Sequence, residues 1–265
     1  MSSVGWAAAL RGLGTHALGR TSDVYDRVAS TNDLALDRMD AGAPHGHLVV
    51  AEEQTGGRGR RGRSWHSPPG VAVYASLVLR GSGAMTSPTS LVAAVGLGIA
   101  EGIEAFCDVH VGIKWPNDLW IGERKVAGIL VEARGFRPEA PACVAGFGIN
   151  VNHAPADLPD DLRATATSLA EAVGTALDRG ALLRAVLEAL EPRVDDALAG
   201  RPGSLHEAYR ARSVLLGRRV ELVEADRPLV GVVTDLSATD GLLLRTDDGA
   251  HRHVPAEFVR DVRPI

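Results

Sequence analysis

Hydrophobic residues alternate with polar ones or cluster in short runs over much of the chain, and this pattern predicts strands alternating with helices. We expect strands at residues 24–28, 48–51, 71–79, 109–113, 126–132 and 143–151. We expect helices at residues 30–39, 87–106, 167–174, 179–198 and 204–213. The first of these helices opens on Ser30-Thr31-Asn32-Asp33, which are typical helix-capping residues. The pattern predicts a mixed α/β (α+β) domain.

The pattern changes after Ser213. Four short apolar-alternating runs follow at residues 219–224, 229–236, 241–246 and 251–255, separated by turn residues. Strands at this spacing predict a small β-barrel of about 50 residues. We therefore divide the chain into an N-terminal extension (1–21), a larger α/β domain (22–213) and a C-terminal barrel (214–265).

Composition excludes several classes of protein. The formal net charge is −5, so the chain lacks the overall basic field of a nucleic-acid-binding protein. The longest apolar stretch, residues 91–103, is interrupted by glycine and is shorter than the roughly 20 residues of a membrane span. We therefore expect no membrane association. Two cysteines do not make a disulfide framework, so we expect a cytoplasmic location.

The basic residues are distributed unevenly between the two types. Only two of the 28 are lysines, Lys114 and Lys125, and they lie within twelve residues of each other. Gln54 is the single glutamine. Lysine and arginine are not interchangeable where a compact charge is needed. The two lysines therefore indicate a functional segment.

A loop rich in arginine and glycine, residues 56–65, follows the second predicted strand. It matches the dinucleotide-binding spacing at Gly57, Gly59 and Gly62, but the Pro68-Pro69 pair that follows cannot open the helix which that site requires. Two interpretations remain open. The loop is either a basic contact for nucleic acid or a mobile loop that closes over phosphate groups.

Five short motifs together resemble those of the biotin protein ligases. They are Ser30-Thr31-Asn32, Glu53-Gln54-Thr55 with the Arg/Gly loop, Lys114-Trp115-Pro116-Asn117-Asp118, Lys125-Val126-Ala127-Gly128-Ile129-Leu130 and Gly148-Ile149-Asn150. Their order and spacing also resemble that family, over residues 22–265. The resemblance implies a mixed-sheet catalytic domain of the biotin/lipoate ligase type with an SH3-like C-terminal barrel.

The resemblance also implies a reaction. Biotin is activated by ATP as biotinyl-5′-AMP, with release of pyrophosphate, and is then transferred to a lysine of a biotin carboxyl carrier protein domain. Mg²⁺ would accompany ATP without direct protein ligands. Because about 20 residues precede the resemblance, we expect a monofunctional ligase that does not bind specific DNA, either as a monomer or as a homodimer.

The resemblance further implies roles for individual residues. The expected catalytic residues are Lys125, Arg58, Asp118 and Lys114. The expected biotin contacts are Ser30, Thr31, Asn32, Gln54, Gly57, Arg58, Gly59, Arg60, Lys125 and Gly128. The expected ATP or adenylate contacts are Arg60, Arg63, Trp65, Lys114, Asn117, Asp118 and Asn150. Two alternatives stay open: a lipoate or octanoate ligase of the same fold, and a nucleic-acid-binding module that uses the Arg/Gly loop.

Overall fold

The computed structural model describes residues 3–81, 88–134, 140–201, 203–224 and 227–265. Its strands form two sheets. The seven strands of the larger sheet are β1 (Ser22–Val28), β2 (Leu48–Gln54), β3 (Ala72–Arg80), β4 (Gly112–Lys114), β5 (Asp118–Ile121), β6 (Arg124–Glu132) and β7 (Ala142–Asn150). Their order is β1-β2-β3-β7-β6-β5-β4. The β1–β2 pair is parallel and the other pairs are antiparallel, which confirms a mixed sheet.

Six α-helices accompany the sheets in the described residues. They are α1 (Ser3–Ala9), α2 (Thr31–Asp40), α3 (Pro88–Phe106), α4 (Leu169–Val173), α5 (Arg179–Leu198) and α6 (Gly203–Ala211). The Asp178 side chain caps α5 by accepting from Gly180 N and Ala181 N, and Ser168 caps α4 by accepting from Glu171 N.

One face of the large sheet is covered by α3 and α5, which pack against each other. Gly98 and Gly102 allow this close approach, since a Cβ atom at either would lie 2.5 Å from the α5 backbone. Among the described residues, only α3 has the length and apolar composition of a membrane span, and 67% of that window is buried in the fold. Such burial is typical of a core helix.

The opposite face of the sheet is only partly covered. Helix α2 lies on it and buries Ala35, Leu36 and Met39 against Val49 and Val78. Beyond α2, none of the helices in the described residues covers this face, and residues of the remaining strands form the floor of a cavity.

The N-terminal segment is part of the fold. Trp6, Leu10, Leu13 and Leu18 all belong to the main core cluster, and Trp6 is fully buried. The sequence shows only a weak pattern here and does not predict α1. A helix of seven residues is marginal alone, so its stability comes from packing against the rest of the protein.

The C-terminal sheet has five antiparallel strands, as the predicted SH3-like barrel requires. They are β8 (Arg219–Glu224), β9 (Arg227–Ser237), β10 (Gly241–Thr246), β11 (His251–Val254) and β12 (Val259–Pro264), in the order β11-β10-β9-β8-β12. The sequence pattern predicts the first four strands and misses β12.

Other predicted boundaries differ by a few residues. The strand expected at 109–113 is β4, Gly112–Lys114. The helices expected at 167–174 and 204–213 are shorter, α4 and α6. Residues 115–117 form a turn, and strand β5, which the sequence pattern does not predict, begins directly after it. Ser87, predicted to begin the long helix, lies outside the described residues.

Candidate active site

A cavity of about 520 Å³ opens on the uncovered face of the large sheet, between that sheet, the Arg/Gly loop and the C-terminal sheet. Strand register explains which side chains reach it, because residues paired across antiparallel strands point to the same face. Gly148 pairs with Gly128, Gly128 with Asp118, and Asp118 with Lys114. These four residues therefore form one row across strands β7, β6, β5 and β4, and all of them line the cavity.

Lys125 reaches the same face because of an irregularity in the pairing of β5 with β6. Leu119 pairs with Ala127, whereas the next residue, Trp120, pairs with Lys125, so Val126 is an extra residue. This β-bulge turns Val126 into the core, where it is fully buried, and turns Lys125 toward the cavity. The backbone of Lys125 is fixed by a second contact, since its N–H donates to Thr165 O at 2.8 Å.

The Lys125 ammonium has two neighbours. Its Nζ lies 2.7 Å from Asp118 Oδ1 and 5.0 Å from the centre of the Trp65 ring. Asp118 is thus engaged by Lys125, and a substrate anion would have to share the ammonium with it. The pair gives the middle of the cavity a charged centre.

A network of neutral polar side chains lines the inner end. Gln54 Oε1 accepts from Thr31 N at 2.9 Å and from Thr31 Oγ1 at 3.0 Å. Ser76, fully buried in β3, lies with its Oγ 2.6 Å from Asn32 Oδ1 and 2.8 Å from Thr31 Oγ1. Ser30 occupies the N-cap position of α2, yet its side chain makes no capping hydrogen bond. This end offers both donors and acceptors to a neutral polar ligand.

Arg58 joins the Arg/Gly loop to this inner end. Its Nη2 lies 2.6 Å from Asp33 Oδ1 in α2 and 3.0 Å from Glu132 Oε2 in β6. Glu132 Oε2 also accepts from Asn32 Nδ2 at 2.8 Å. The Arg58 guanidinium therefore connects the loop to helix α2 and to strand β6.

The other loop arginines face the C-terminal sheet. Arg60 Nη2 donates to Ala256 O at 2.8 Å, and Arg61 Nη2 donates to Glu257 O. Arg63 Nη2 lies 3.5 Å from Asp261 Oδ2. Burial lowers the pKa of Arg60 below its ordinary value, and the positive charge of Arg61 adds to the shift.

Lys114 lies deeper in the same cationic region. Its Nζ is 3.9 Å from Asp261 Oδ1 and 5.1 Å from the centre of the Trp120 ring. Burial lowers the pKa of Lys114 below its ordinary value, although Asp118 and Asp261 oppose the shift. A phosphate group entering here would meet a partly desolvated ammonium, for which its attraction is stronger than in water.

Trp65 lies flat on the sheet where two strands carry glycine. A Cβ atom at Gly148 would be 2.5 Å from the indole, and one at Gly128 would be 2.9 Å from it. Only glycine leaves room for the ring at these positions. Two amides frame the remaining wall: Asn117 Nδ2 donates to Ile129 O at 2.9 Å, and Asn150 Nδ2 donates to Thr167 O at 3.0 Å.

The cavity brings together fifteen of the sixteen site residues expected from the sequence. Gly57 is the exception, because it does not line the cavity. A Cβ atom there would be 2.6 Å from Ser67 Oγ and 2.7 Å from Trp65 O, so the glycine serves loop packing.

Sequence reasoning missed several residues at the cavity. Trp115, Trp120 and Asp261 line the cavity, and Glu132 contacts Arg58 and Asn32 beside it, but none of them is among the expected site residues. Asp261 comes from the barrel, where the sequence shows no catalytic motif. Trp115 and Trp120 lie within or beside the lysine motif, which could have drawn attention to them. Asp261 carries no local signal.

Comparison with known proteins agrees with this geometry. Residues 24–150 match the Biotin/lipoate A/B protein ligase family. Bifunctional ligase/repressor BirA of Bacillus subtilis is 32% identical over 247 residues, which cover 93% of this chain and 76% of that protein. Biotin--[acetyl-CoA-carboxylase] ligase of Mycobacterium tuberculosis is 33% identical over 234 residues, covering 85% of this chain and 83% of that protein.

Solved structures give the same result. Biotin protein ligase from Aquifex aeolicus in complex with biotin and ATP superposes with a TM-score of 0.81 at 26% identity, covering 93% of this chain and all of that chain. The chain thus belongs to the Biotin/lipoate A/B protein ligase family, among its biotin protein ligases. The ligase assignment is confirmed over the lipoate and nucleic-acid alternatives.

Proposed function

We propose that this enzyme joins biotin to ATP in the cavity and transfers the biotinyl group to a lysine of a biotin carboxyl carrier protein domain. The observation that carries the proposal is the arrangement of charge along one cavity. Neutral donors and acceptors lie at its inner end, the Lys125–Asp118 pair in the middle, and Lys114, Arg60 and Arg63 toward the C-terminal sheet.

In the first step, the ureido group of biotin lies at the inner end, where Gln54, Thr31, Asn32 and Ser30 supply donors and acceptors. Its carboxylate then faces the Lys125 ammonium. A carboxylate oxygen attacks the α-phosphorus of ATP, the bond to the β-phosphate oxygen breaks, and pyrophosphate leaves. The clustered cations offset the repulsion between the two anions and stabilise the charge that develops.

The triphosphate contacts Lys114, Arg60 and Arg63, and the adenine lies near Trp65, Asn150 and Asn117. Mg²⁺ enters as part of the ATP substrate. Among the described residues, no group of three or more His, Cys, Asp or Glu side chains is placed to hold a metal ion. Most ligands of the ion would therefore come from phosphate oxygens and water.

In the second step, the amine of the carrier lysine attacks the acyl carbon of biotinyl-5′-AMP. The acyl–phosphate bond breaks, AMP leaves, and the amine loses a proton. Asp118 orients the incoming amine or takes up that proton, which requires it to exchange Lys125 for the substrate. The Arg/Gly loop, with Arg58 and Gly59, keeps the intermediate in place and water out.

We further propose that the enzyme acts in the cytoplasm, as a monomer or homodimer, and binds neither specific DNA nor a membrane. Light scattering tests the oligomeric state, and a gel-shift assay with operator-length duplexes tests the DNA expectation.

The reaction is tested by ATP–pyrophosphate exchange with biotin, with lipoate and with neither acid. We expect exchange with biotin alone. Subsequent addition of a purified carrier domain should then yield one biotinylated lysine per domain, detected by mass spectrometry. Exchange with lipoate and not biotin would replace the proposal with a lipoate ligase, and no acid-dependent exchange would refute it.

A further inference from the structure

The Arg/Gly loop lies in the connection between strands β2 and β3, residues 55–71, whose returning arm is residues 64–71. The backbone pairing of the two strands ends at Ala51 and Tyr74, and the loop leaves and returns beyond this point. Backbone groups past the last pair need other partners if they are buried. Glu52 supplies one, because its Oε1 accepts from Gly70 N at 2.8 Å. A side chain at the outgoing end of the loop therefore holds its returning end.

Two donors from outside the sheet hold the Glu52 carboxylate. Arg179, the first residue of α5, donates Nη2 to Glu52 Oε1 at 2.8 Å and Nη1 to Ala72 O at 2.9 Å. Trp6 in α1 donates Nε1 to Glu52 Oε2 at 2.9 Å. The Arg179 guanidinium also lies 5.3 Å from the centre of the Trp6 ring. The three side chains form a cluster that we call the loop anchor.

The loop anchor is buried and well bonded. Trp6, Glu52 and Arg179 are 0%, 8% and 4% exposed. A buried ion pair is held rigidly when its remaining donors and acceptors are also engaged, and removing one partner leaves an unpaired charge in the interior. Glu52 accepts from Gly70 N, and Arg179 donates to Ala72 O. The rigid ion pair therefore also fixes these two backbone groups, which lie where the loop returns to strand β3.

We propose that Glu52, held by Arg179 and Trp6, is a positioning residue that fixes the returning arm of the Arg/Gly loop over the cavity. Opening is then confined to the part of the loop that carries Arg58, Arg60 and Arg63. The catalytic consequence, retention of the activated intermediate, rests on the proposed function; the anchoring of the loop does not. The inference also gives the N-terminal segment a role at the active site, through Trp6.

Two variants test the anchor, and a third serves as a matched control. Glu52→Gln removes the charge with little change of shape, and Trp6→Phe removes one donor while keeping an aromatic ring. Glu191 is a second buried carboxylate that holds the N-terminal segment, by accepting from the backbone N–H groups of residues 16–18 at 2.7–2.9 Å. It has no contact with the loop, so Glu191→Gln tests loss of N-terminal attachment alone.

The readout is native-state chymotrypsin cleavage of the full-length protein, followed by mass spectrometry of fragments cut after Trp65, which lies in the returning arm. Each variant is compared at the same temperature interval below its own Tm. Cleavage in the loop should rise about tenfold in Glu52→Gln and about threefold in Trp6→Phe, and change less than twofold in Glu191→Gln, since cleavage follows local opening. Wild-type cleavage in Glu52→Gln, or an equal rise in Glu191→Gln, would overturn the anchor.

A second measurement tests the catalytic consequence. The half-life of biotinyl-5′-AMP on the enzyme should shorten in Glu52→Gln and not in Glu191→Gln, while the rate of adenylate formation changes less. Faster cleavage with unchanged retention would contradict the proposal. If Glu52→Gln does not fold, Trp6→Phe decides by the same criteria. Failure of wild-type exchange would refute the proposed function, and the cleavage comparison would still decide the anchor.

Discussion

Lys114 and Lys125 are the two places where this arginine-rich chain keeps an ammonium, and both are confined. Lys125 lies between the Asp118 carboxylate and the Trp65 ring, and Lys114 lies against Trp120. A guanidinium is wider and planar, and it presents its donors in a fixed fork. The bias toward lysine at these positions therefore has a steric explanation.

We expect Lys125→Arg to lower adenylate formation by at least about tenfold, equivalent to ~1.4 kcal/mol in the activation barrier. The charge is retained, but the fork cannot occupy the space between Asp118 and Trp65. Biotin-dependent ATP–pyrophosphate exchange measures the effect.

Arg124→Lys is the control for this substitution. Arg124 is the neighbouring strand residue, it pairs with Glu171 at 2.7 Å, and its side chain is 41% exposed. It should keep near wild-type exchange, because exposed ion pairs contribute little. Near-normal exchange by folded Lys125→Arg would remove Lys125 from the catalytic residues.

Among the elements, the Arg/Gly loop is held from both sides of the cavity. Arg58 attaches it to α2 and β6, whereas Arg60 and Arg61 attach it to the C-terminal sheet. The interpretation of the loop as a passive basic contact for nucleic acid does not explain why these arginines contact other parts of the protein.

We expect Arg58→Gly to release the activated intermediate while the fold stays intact. Loss of the contacts to Asp33 and Glu132 frees the loop at the inner end of the cavity, so water enters and the intermediate escapes. The variant should biotinylate nearby lysines indiscriminately, which mass spectrometry of a mixed-protein sample detects.

Arg61→Gly is the matched control for the loop. It removes the same charge three residues away, from a side chain that does not line the cavity. Arg61 has a φ of 56°, a conformation that glycine adopts more readily, so the backbone should tolerate the change. Equal release by both variants, or by neither, would count against closure of the loop by Arg58.

The strands that the sequence missed share a physical cause. Strand β5 has only four residues and directly follows the Pro116-Asn117 turn. Its alternation of polar and hydrophobic residues is therefore too short to predict a strand. Strand β12 ends in Pro264 and completes the C-terminal sheet by pairing with β8, a contact between distant parts of that sheet. Short strands are specified mainly by their partners.

At the scale of the whole molecule, the main core continues from the large sheet into the C-terminal sheet. Leu215, Val220 and Val233 belong to the same buried cluster as the residues of α3 and α5. The segment that leads into the C-terminal sheet also contacts β4, through the backbone bridge between Ile113 and Ser213. The predicted boundary at residue 213 stays a prediction, and the barrel shares both the core and the cavity.

We expect truncation after Ser213 to impair catalysis beyond any loss of folded protein. Arg60 and Arg61 would lose their backbone acceptors, and Lys114 and Arg63 would lose Asp261. Exchange per mole of folded protein should fall at least about tenfold. Tm should fall as well, because apolar surface is exposed.

Circular dichroism measures the folded fraction of the truncated chain, and exchange and carrier transfer measure its activity. A loss of activity proportional to the loss of folded protein would indicate a purely stabilising barrel. A soluble truncation with full exchange and full transfer would contradict any role of the barrel in the reaction.

The sequence alone determined the mixed α/β class, the C-terminal barrel and fifteen of the residues that line the cavity. Element types follow from local periodicity, and the site motifs are short segments whose order is readable directly. Lys114 and Asp118, for example, lie in one such segment and meet in one row of the sheet.

Tertiary structure decided the rest. The extra residue Val126 in β6 turns Lys125 toward the cavity, and nothing in a single strand reveals a bulge that exists only relative to its partner. Asp261 and Trp6 reach the site region from opposite ends of the chain, through packing and ion pairing between distant segments. Local sequence encodes which conformation a segment prefers, but contacts between remote segments depend on the complete fold, and these contacts hold the loop, the lysines and the barrel around one cavity.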